Sequence, residues 1–231
     1  MQRRNFLKAG ALIFSALLIS SKETLLSAAE RASGFAHEYK SKIAALIKSL
    51  KADGSNIVLK IMNGKKYVFD PYNHYPFDGG IKDQKTGYQL FFHAHRKDEY
   101  GHFHTFATDE DGELVHLLLI SMNKKGEPIG LATVNRWVTG DKYVKAESLE
   151  KLSKDFYIDP SLYKDHRVIE FINNIYRAYP ELISSLYKKR DEKISEYARK
   201  YYREPFEDRD LEILSYTPIR DFSSEVNKNH F

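Results

Sequence analysis

Four histidines in two closely spaced pairs are the residues of this sequence best suited to chemistry. They are His93 and His95, then His102 and His104, so four imidazoles fall inside twelve residues. Alternate side chains of a β-strand lie on one face, and each pair therefore presents both rings to the same side. If Arg96 to Gly101 form a hairpin loop, His93 lies opposite His104 and His95 opposite His102. The spacing predicts a metal site built from imidazole nitrogens.

The ligand chemistry narrows the choice of ion without fixing it. The chain contains no cysteine, which excludes thiolate ligands, disulfides and iron–sulfur clusters. Nitrogen ligands suit a divalent transition metal, namely zinc, iron, copper or nickel, and carboxylate ligands would shift the choice towards iron or manganese. The alternative is an aromatic and histidine-rich sheet face that packs under a helix or lines a pocket of another kind.

Five more residues are candidates for the same site. His74 lies in a loop rich in proline, glycine and asparagine, and His116 lies in the strand after the second pair. A simple hairpin register places His116 on the face opposite His104, whereas a bulge near Gly112 would bring it to the same face. The candidate catalytic groups are Asp98, Glu99 and Arg136.

The elements that position these residues follow an α, β, α order. An amphipathic helix is predicted over residues 33–52, where apolar residues recur at three- and four-residue spacing. Asn63-Gly64 predicts the turn of a hairpin. The helices after residue 145 include a long stretch from Asp165 that Pro180 divides or kinks. The predicted strands are Ile57–Met62, Tyr67–Phe69, Tyr88–His95, His102–Thr108, Leu114–Met122, Ile129–Val138 and, at one edge, Leu211–Tyr216.

These elements predict an α+β fold in which an antiparallel sheet of about four to six strands is flanked by N-terminal and C-terminal helices. We expect residues 30–231 to form a single domain with a core at about 55–217.

The first 29 residues resemble a twin-arginine signal peptide. Arg3 and Arg4 precede Phe6-Leu7-Lys8 and an apolar stretch over residues 9–19, and this stretch is shorter than the roughly 20 residues that span a bilayer. The resemblance implies a periplasmic protein exported folded by the twin-arginine translocation machinery, with no stable transmembrane anchor. If the leader is not cleaved, it would tether the protein to the inner membrane.

Most of the excess positive charge belongs to this leader. The chain has 36 basic and 32 acidic side chains, and removing residues 1–29 leaves 32 and 31. A net charge near +1 without a Lys/Arg stripe argues against a nucleic-acid partner.

Two resemblances to known families concern the middle of the chain. Gly101-His102-Phe103-His104 and Asn135-Arg136-Trp137-Val138-Thr139-Gly140 are similar to the motifs of an uncharacterised bacterial domain family, over residues 70–217. That resemblance implies a discrete domain but no activity. Gly87, His93, His95 and Glu99 have the spacing of the first metal motif of cupins, although the later glycine of that motif is Phe106 here.

Three functions remain open on the sequence alone. The histidines could hold the ion of a hydrolase or oxidoreductase, in which an open coordination position activates water or dioxygen. They could instead belong to a non-catalytic periplasmic protein that binds a metal or small molecule. In a structural domain they would be packing residues.

Overall fold

Residues 30–219 are described by a computed structural model, in which six α-helices flank an open antiparallel sheet. The predicted α+β class is confirmed. The predicted signal peptide, residues 1–29, lies outside the described residues. Across residues 30–219 the helices are too short or too polar to cross a membrane.

The sheet has seven strands in the order β1–β3–β4–β5–β6–β7, and the short β2 pairs beside β1 on β3. Every neighbouring pair is antiparallel. Strands β3 to β6 follow one another in both sequence and space and form an antiparallel meander. The bounds of the seven strands are β1 Asp70–Tyr75, β2 Ile81–Lys82, β3 Tyr88–Ala94, β4 Gly101–Thr108, β5 Leu114–Met122, β6 Pro128–Val134 and β7 Ile213–Pro218.

The helices occur before and after this meander. Pro180 separates α5 from α6 and is the first residue of α6, a position where its missing N–H costs nothing. The prediction of a division there is confirmed. The helices are α1 over residues 30–52, α2 Ile57–Met62, α3 Arg136–Thr139, α4 Ala146–Lys154, α5 His166–Ala178 and α6 Pro180–Tyr201.

The predicted strand Ile57–Met62 is wrong, because this segment is the helix α2. Asn56 accepts a hydrogen bond from the Leu59 amide and caps its first turn, and Asn63 ends it in the left-handed conformation. Ile57, Val58, Ile61 and Met62 are buried, and that spacing lies on one helical face. Asn63-Gly64 therefore ends a helix instead of turning a hairpin.

Two further sequence predictions are corrected at the edges of the sheet. Asp70–Tyr75, predicted as loop, forms the edge strand β1, where Pro71 is tolerated because its missing N–H is not needed for pairing. The predicted strand Ile129–Val138 ends at Val134, since the Asn135 side chain caps α3.

The two faces of the central strands have different environments. On one face Leu90, Phe92, Phe103 and Ile120 join the main hydrophobic core, which α2, α4 and α5 share. On the other face Phe91 lies against the rings of His93 and His104. The histidines therefore project from the sheet on the side away from the main core.

Candidate metal centre

Strands β3 and β4 bring both histidine pairs together on one face of the sheet. His93 pairs with His102 across the two strands, and Phe91 pairs with His104. The predicted pairing of His93 with His104 is wrong by two residues. A shift of two residues keeps every side chain on its own face, and the predicted convergence of the rings is therefore preserved.

Glycine at position 101 sets this register. Its Cα lies against the Phe92 ring and the His93 carbonyl, so a Cβ there would clash with both. Strand β4 therefore starts close to β3, and the loop between them spans residues 95–100. His95 lies just outside β3 yet contacts both His93 and His102, with ring centroids 4.7 and 5.0 Å apart.

Three histidines offer nitrogens that could hold one metal ion. One ring nitrogen each from His93, His95 and His102 lies within 4.8 Å of the other two. His93 and His102 are buried and His95 is half-buried. We call these residues the histidine triad.

Hydrogen bonds fix which nitrogen of each buried ring faces its neighbour. His93 Nδ1 lies 2.9 Å from the Pro71 carbonyl oxygen, which can only accept, so Nδ1 carries the proton and Nε2 is bare. His102 Nδ1 is hydrogen-bonded to the Glu99 carboxylate, and with Glu99 ionised its Nε2 is bare as well. The two Nε2 atoms lie 2.6 Å apart. With Glu99 ionised, two acceptor nitrogens at that distance require a proton or a metal ion between them.

Burial keeps the rings of this cluster neutral. Desolvation lowers the pKa of His93 to about 4, and it holds the pKa values of His102 and His104 well below the ordinary value. Repulsion between neighbouring rings in their protonated form lowers the pKa values of all three histidines further. A neutral imidazole is the form that binds a metal ion.

The candidate general bases Asp98 and Glu99 have different environments. Asp98 is exposed, whereas the Glu99 side chain is only 4% exposed and contacts His102. Burial raises the pKa of Glu99 to about 7, against hydrogen bonding by Ser121 and the positive charge of Arg96. Glu99 therefore acts on His102 Nδ1, as outer carboxylates do for ligating histidines in metal sites.

His104 and His116 form a second imidazole pair beside the triad. His104 Nδ1 lies 2.8 Å from His116 Nε2, and the His104 ring centroid is 4.8 Å from that of His102. His104 Nε2 is buried and has no hydrogen-bond partner within the described structure. A buried ring nitrogen without a partner carries a desolvation cost of about 1–3 kcal/mol.

The turn between β4 and β5 places His116 on the same face as His104. Gly112 has a φ of 81°, the Asp109 N–H bonds the Glu113 carbonyl, and the strands leave the turn with Phe106 opposite His116. This is the outcome that a bulge near Gly112 was expected to give. A second irregularity lies between Thr105 and Phe106, so that His104 pairs with Leu119, and the Thr105 hydroxyl stabilises it by bonding the Leu118 N–H and C=O at 3.1 and 3.0 Å.

His74 lies beside the triad in the edge strand β1. Its ring centroid is 5.4 Å from that of His93 and 4.3 Å from that of Phe91. It is half-buried and is not among the residues whose ligand atoms converge. His74 therefore borders the site from the solvent side.

The Asn135 to Gly140 motif has a structural part that the sequence did not reveal. Asn135 is fully buried and donates to the Pro205 and Leu211 carbonyls, and the Trp137 indole donates to Leu211 at 3.0 Å. Arg136 pairs with Glu207 instead of projecting into the triad. The motif holds the segment before β7 against α3.

The segment before β7 leads directly to the face of the sheet that carries the histidines. Glu212 follows Leu211 and accepts a hydrogen bond of 3.0 Å from Arg96, which lies 3.6 Å from Glu99. The negative charge of Glu212 opposes the lowering of the pKa of His95 that burial causes. Sequence reasoning missed Arg96 and Glu212 because 116 residues separate them.

A second cluster of potential ligands, on the β4–β5 turn, already holds a cation of the protein itself. Asp109, Asp111 and Glu113 converge there. The Lys142 ammonium lies 2.8, 2.8 and 3.0 Å from their carboxylates. This cluster is a surface ion-pair network and we assign it no metal.

Comparison with family models places residues 37–219 in the domain of unknown function DUF6969, and the chain belongs to this family. The chain matches no curated protein and no solved structure. The cupin-like spacing of Gly87, His93, His95 and Glu99 is a local similarity, because the open sheet differs from the two packed sheets of a jelly roll.

Proposed function

We propose that this DUF6969 protein binds a divalent transition metal ion through His93, His95 and His102. The observation that carries the proposal is the pair of Nε2 atoms, 2.6 Å apart, whose rings are both tied back through Nδ1. A carbonyl or carboxylate on the far nitrogen is the usual arrangement around a ligating histidine. An ion between them would push the two nitrogens slightly apart and remove their repulsion.

We propose His104 as the fourth ligand. Its Nδ1 can donate to His116 Nε2, which leaves Nε2 bare in the same way as in His93 and His102. His104 is not among the residues whose ligand atoms already converge, so coordination requires a shift of its ring, whose centroid lies 4.9 and 4.8 Å from those of His93 and His102. The bond would give this buried nitrogen the partner that it lacks. His116 then serves as the outer partner of His104, and His74 borders the site without binding the ion.

Packing histidines explain these observations less well. A sheet face that only packs gains nothing from placing the unpartnered His104 Nε2 in its interior, because desolvation of polar groups opposes folding. Apolar residues of similar size would fill the space of His102 and His104 without that cost. The close approach of neutral imidazoles supports a site built for an ion.

The ligand set favours zinc or copper(II) over iron and nickel. Iron(II) oxygenase sites combine two histidines with a carboxylate. Here the nearest buried carboxylate, Glu99, contacts His102 Nδ1 and is therefore an outer partner. Three or four imidazoles without a carboxylate match the sites of zinc and copper(II).

We further propose that the protein works in the periplasm after export by the twin-arginine translocation machinery. The support is the leader sequence, with Arg3 and Arg4 ahead of an apolar stretch. Transport of a folded chain suits a metal site of this kind, because strands β3 and β4 must be paired before the ligands converge.

Non-catalytic binding is the function that the geometry supports best. Four histidine ligands would close a tetrahedral site, and a closed site retains an ion without activating water. A second function, a metal-dependent hydrolase or oxidoreductase acting on a small molecule, is favoured by the half-exposed His95. It requires that His104 does not coordinate, so that one position stays open.

Metal analysis of the untagged full chain tests the proposal. We expect one zinc or copper per chain after dialysis, and loss of binding in the double variant His93→Ala/His102→Ala. His166→Ala is the matched control, because His166 is exposed and lies outside the site. The absence of stoichiometric metal after titration with zinc and copper(II), or equal loss in the control, would refute the proposal.

The spectrum of the cobalt(II)-substituted protein separates the two functions. A tetrahedral site of four imidazoles gives intense visible bands that do not respond to added azide. An open position would change the bands on azide binding and support the enzyme. His104→Ala should convert the first behaviour into the second.

A further inference from the structure

On the opposite side of the sheet from the histidines, α4, α5 and the start of α6 enclose a cavity of about 290 Å³. This volume lies at the lower end of the range for small-molecule sites. Its apolar wall contains Phe156, Tyr176 and Ile183. The rings of Phe156 and Tyr176 are stacked, with their centroids 4.0 Å apart. Phe35 of α1 lies at the rim.

Two cations line this cavity without an acidic partner. Within residues 30–219, neither Lys154 nor Arg177 forms an ion pair, and the one protein bond of the Arg177 guanidinium goes to the Asn173 carbonyl at 3.1 Å. Arg177 is half-buried. Its Cζ lies 5.8 Å from the centroid of the Tyr39 ring, and Lys154 is exposed. An anion in the cavity would gain charge-assisted contacts with both cations.

The single acid that lines the cavity is already satisfied. Glu150 accepts a hydrogen bond of 2.5 Å from Ser184 and lies 3.5 Å from Lys188. These contacts hold its pKa below the ordinary value, so it stays ionised. Lys154 and Arg177 therefore face the cavity as an excess of positive charge.

We propose that this cavity binds a small amphipathic carboxylic acid. Its aromatic or aliphatic tail packs against Phe156, Tyr176 and Ile183, and its carboxylate pairs with Arg177 and Lys154. Arg177 has further N–H groups arranged as a fork that matches a carboxylate. The inference is independent of the proposed metal function, because these residues lie on the face of the sheet away from the histidines.

Calorimetric titration of the full chain with 4-phenylbutyrate tests this site, and 4-phenylbutanol is the uncharged counterpart of the same shape. We expect the acid to bind at least about tenfold more tightly than the alcohol, since charged hydrogen bonds supply the difference. Lys154→Gln and Arg177→Gln should each weaken binding of the acid. Lys151→Gln, on the same helix but outside the cavity, should leave it unchanged.

The titration is repeated in the presence of EDTA, because a carboxylate could also bind a metal ion at the triad. Binding that survives EDTA and depends on Arg177 supports the cavity. Equal affinity for acid and alcohol, no binding at millimolar acid, or unchanged binding in both glutamine variants would overturn the proposal. Lys154 is exposed, so its variant remains informative even if Arg177→Gln fails to fold.

Discussion

Replacing Glu99 by alanine is expected to weaken metal binding although Glu99 is not a proposed ligand. The Glu99 side chain is 4% exposed and its carboxylate holds His102 Nδ1. Without this acceptor the His102 ring loses its fixed orientation, and the neutral tautomer with the proton on Nε2 becomes accessible. That proton would occupy the nitrogen that we propose binds the ion.

The size of the effect follows from the position of Glu99 as an outer partner. Loss of such a partner typically costs about 10–100-fold in metal affinity, or about 1.4–2.7 kcal/mol of binding free energy. We expect a value of about 30-fold for Glu99→Ala, because the site is buried. Glu99→Gln should lose less than about tenfold, since its amide oxygen can still accept the Nδ1 proton.

Competition with a chromophoric chelator measures these affinities in the untagged protein. Asp98→Ala is the matched control, because Asp98 is an exposed acid one residue away in the same loop. Circular dichroism of the metal-free variants shows whether they fold. The reasoning fails if Glu99→Ala binds the ion as tightly as the wild type, if Asp98→Ala loses as much affinity, or if glutamine is as poor as alanine.

Three further predictions concern stability. Free zinc at about 100 times its Kd should add about 2.7 kcal/mol to the free energy of unfolding, which raises the Tm by about 5–10 °C. Calorimetry with and without EDTA measures this shift, and an unchanged Tm would contradict the prediction. Thr105→Val should lower the free energy of unfolding in urea by about 1–3 kcal/mol, because it leaves the Leu118 amide and the Tyr176 hydroxyl buried without their partner. A decrease below about 0.5 kcal/mol would count against this prediction. Hydrogen bonding to Arg167 lowers the pKa of Asp165 to about 2. Asp165 therefore contributes about 1–2 kcal/mol to the free energy of unfolding above its unfolded pKa of 3.8, and this contribution is lost as the pH falls from about 4 to about 2. Urea unfolding should show Asp165→Asn less stable than the wild type near pH 6 but not near pH 2, and a stability difference that is independent of pH would refute the prediction.

The strands that carry the histidines could be predicted from the sequence because their signals are local. Apolar alternation and the turns at Asp109–Gly112 and Asn123–Gly126 determine β4, β5 and the start of β6 within one residue, whereas β6 ends four residues before its predicted end. The common face of His93 and His102 follows from the period of two, and it holds whether the register is the predicted one or the observed one. Local pattern therefore determines which histidines meet.

The parts that escaped prediction depend on contacts between distant residues. The segment Ile57–Met62 has the composition of a strand, and only the caps at Asn56 and Asn63 and its burial against α5 decide for a helix. Arg96 meets Glu212 because the Asn135 to Gly140 motif holds the intervening segment in place. The helical spacing of the first segment is too short to decide against a strand, and no spacing in the sequence encodes the contact of Arg96 with Glu212.

The position of His116 shows most clearly how the two faces of the sheet depend on each other. Strict alternation back from Leu119, which pairs with His104, would place His116 on the other face, and the bulge beside Thr105 lets it share the face of Phe106 and His104 instead. The Thr105 hydroxyl replaces part of the strand ladder and also bonds the Tyr176 hydroxyl of α5 at 2.6 Å. Tyr176 in turn lines the cavity between the helices. A side chain of the helical layer thus helps to set the register that brings His116 beside His104, so the face that carries the histidines cannot be derived from its own strands alone.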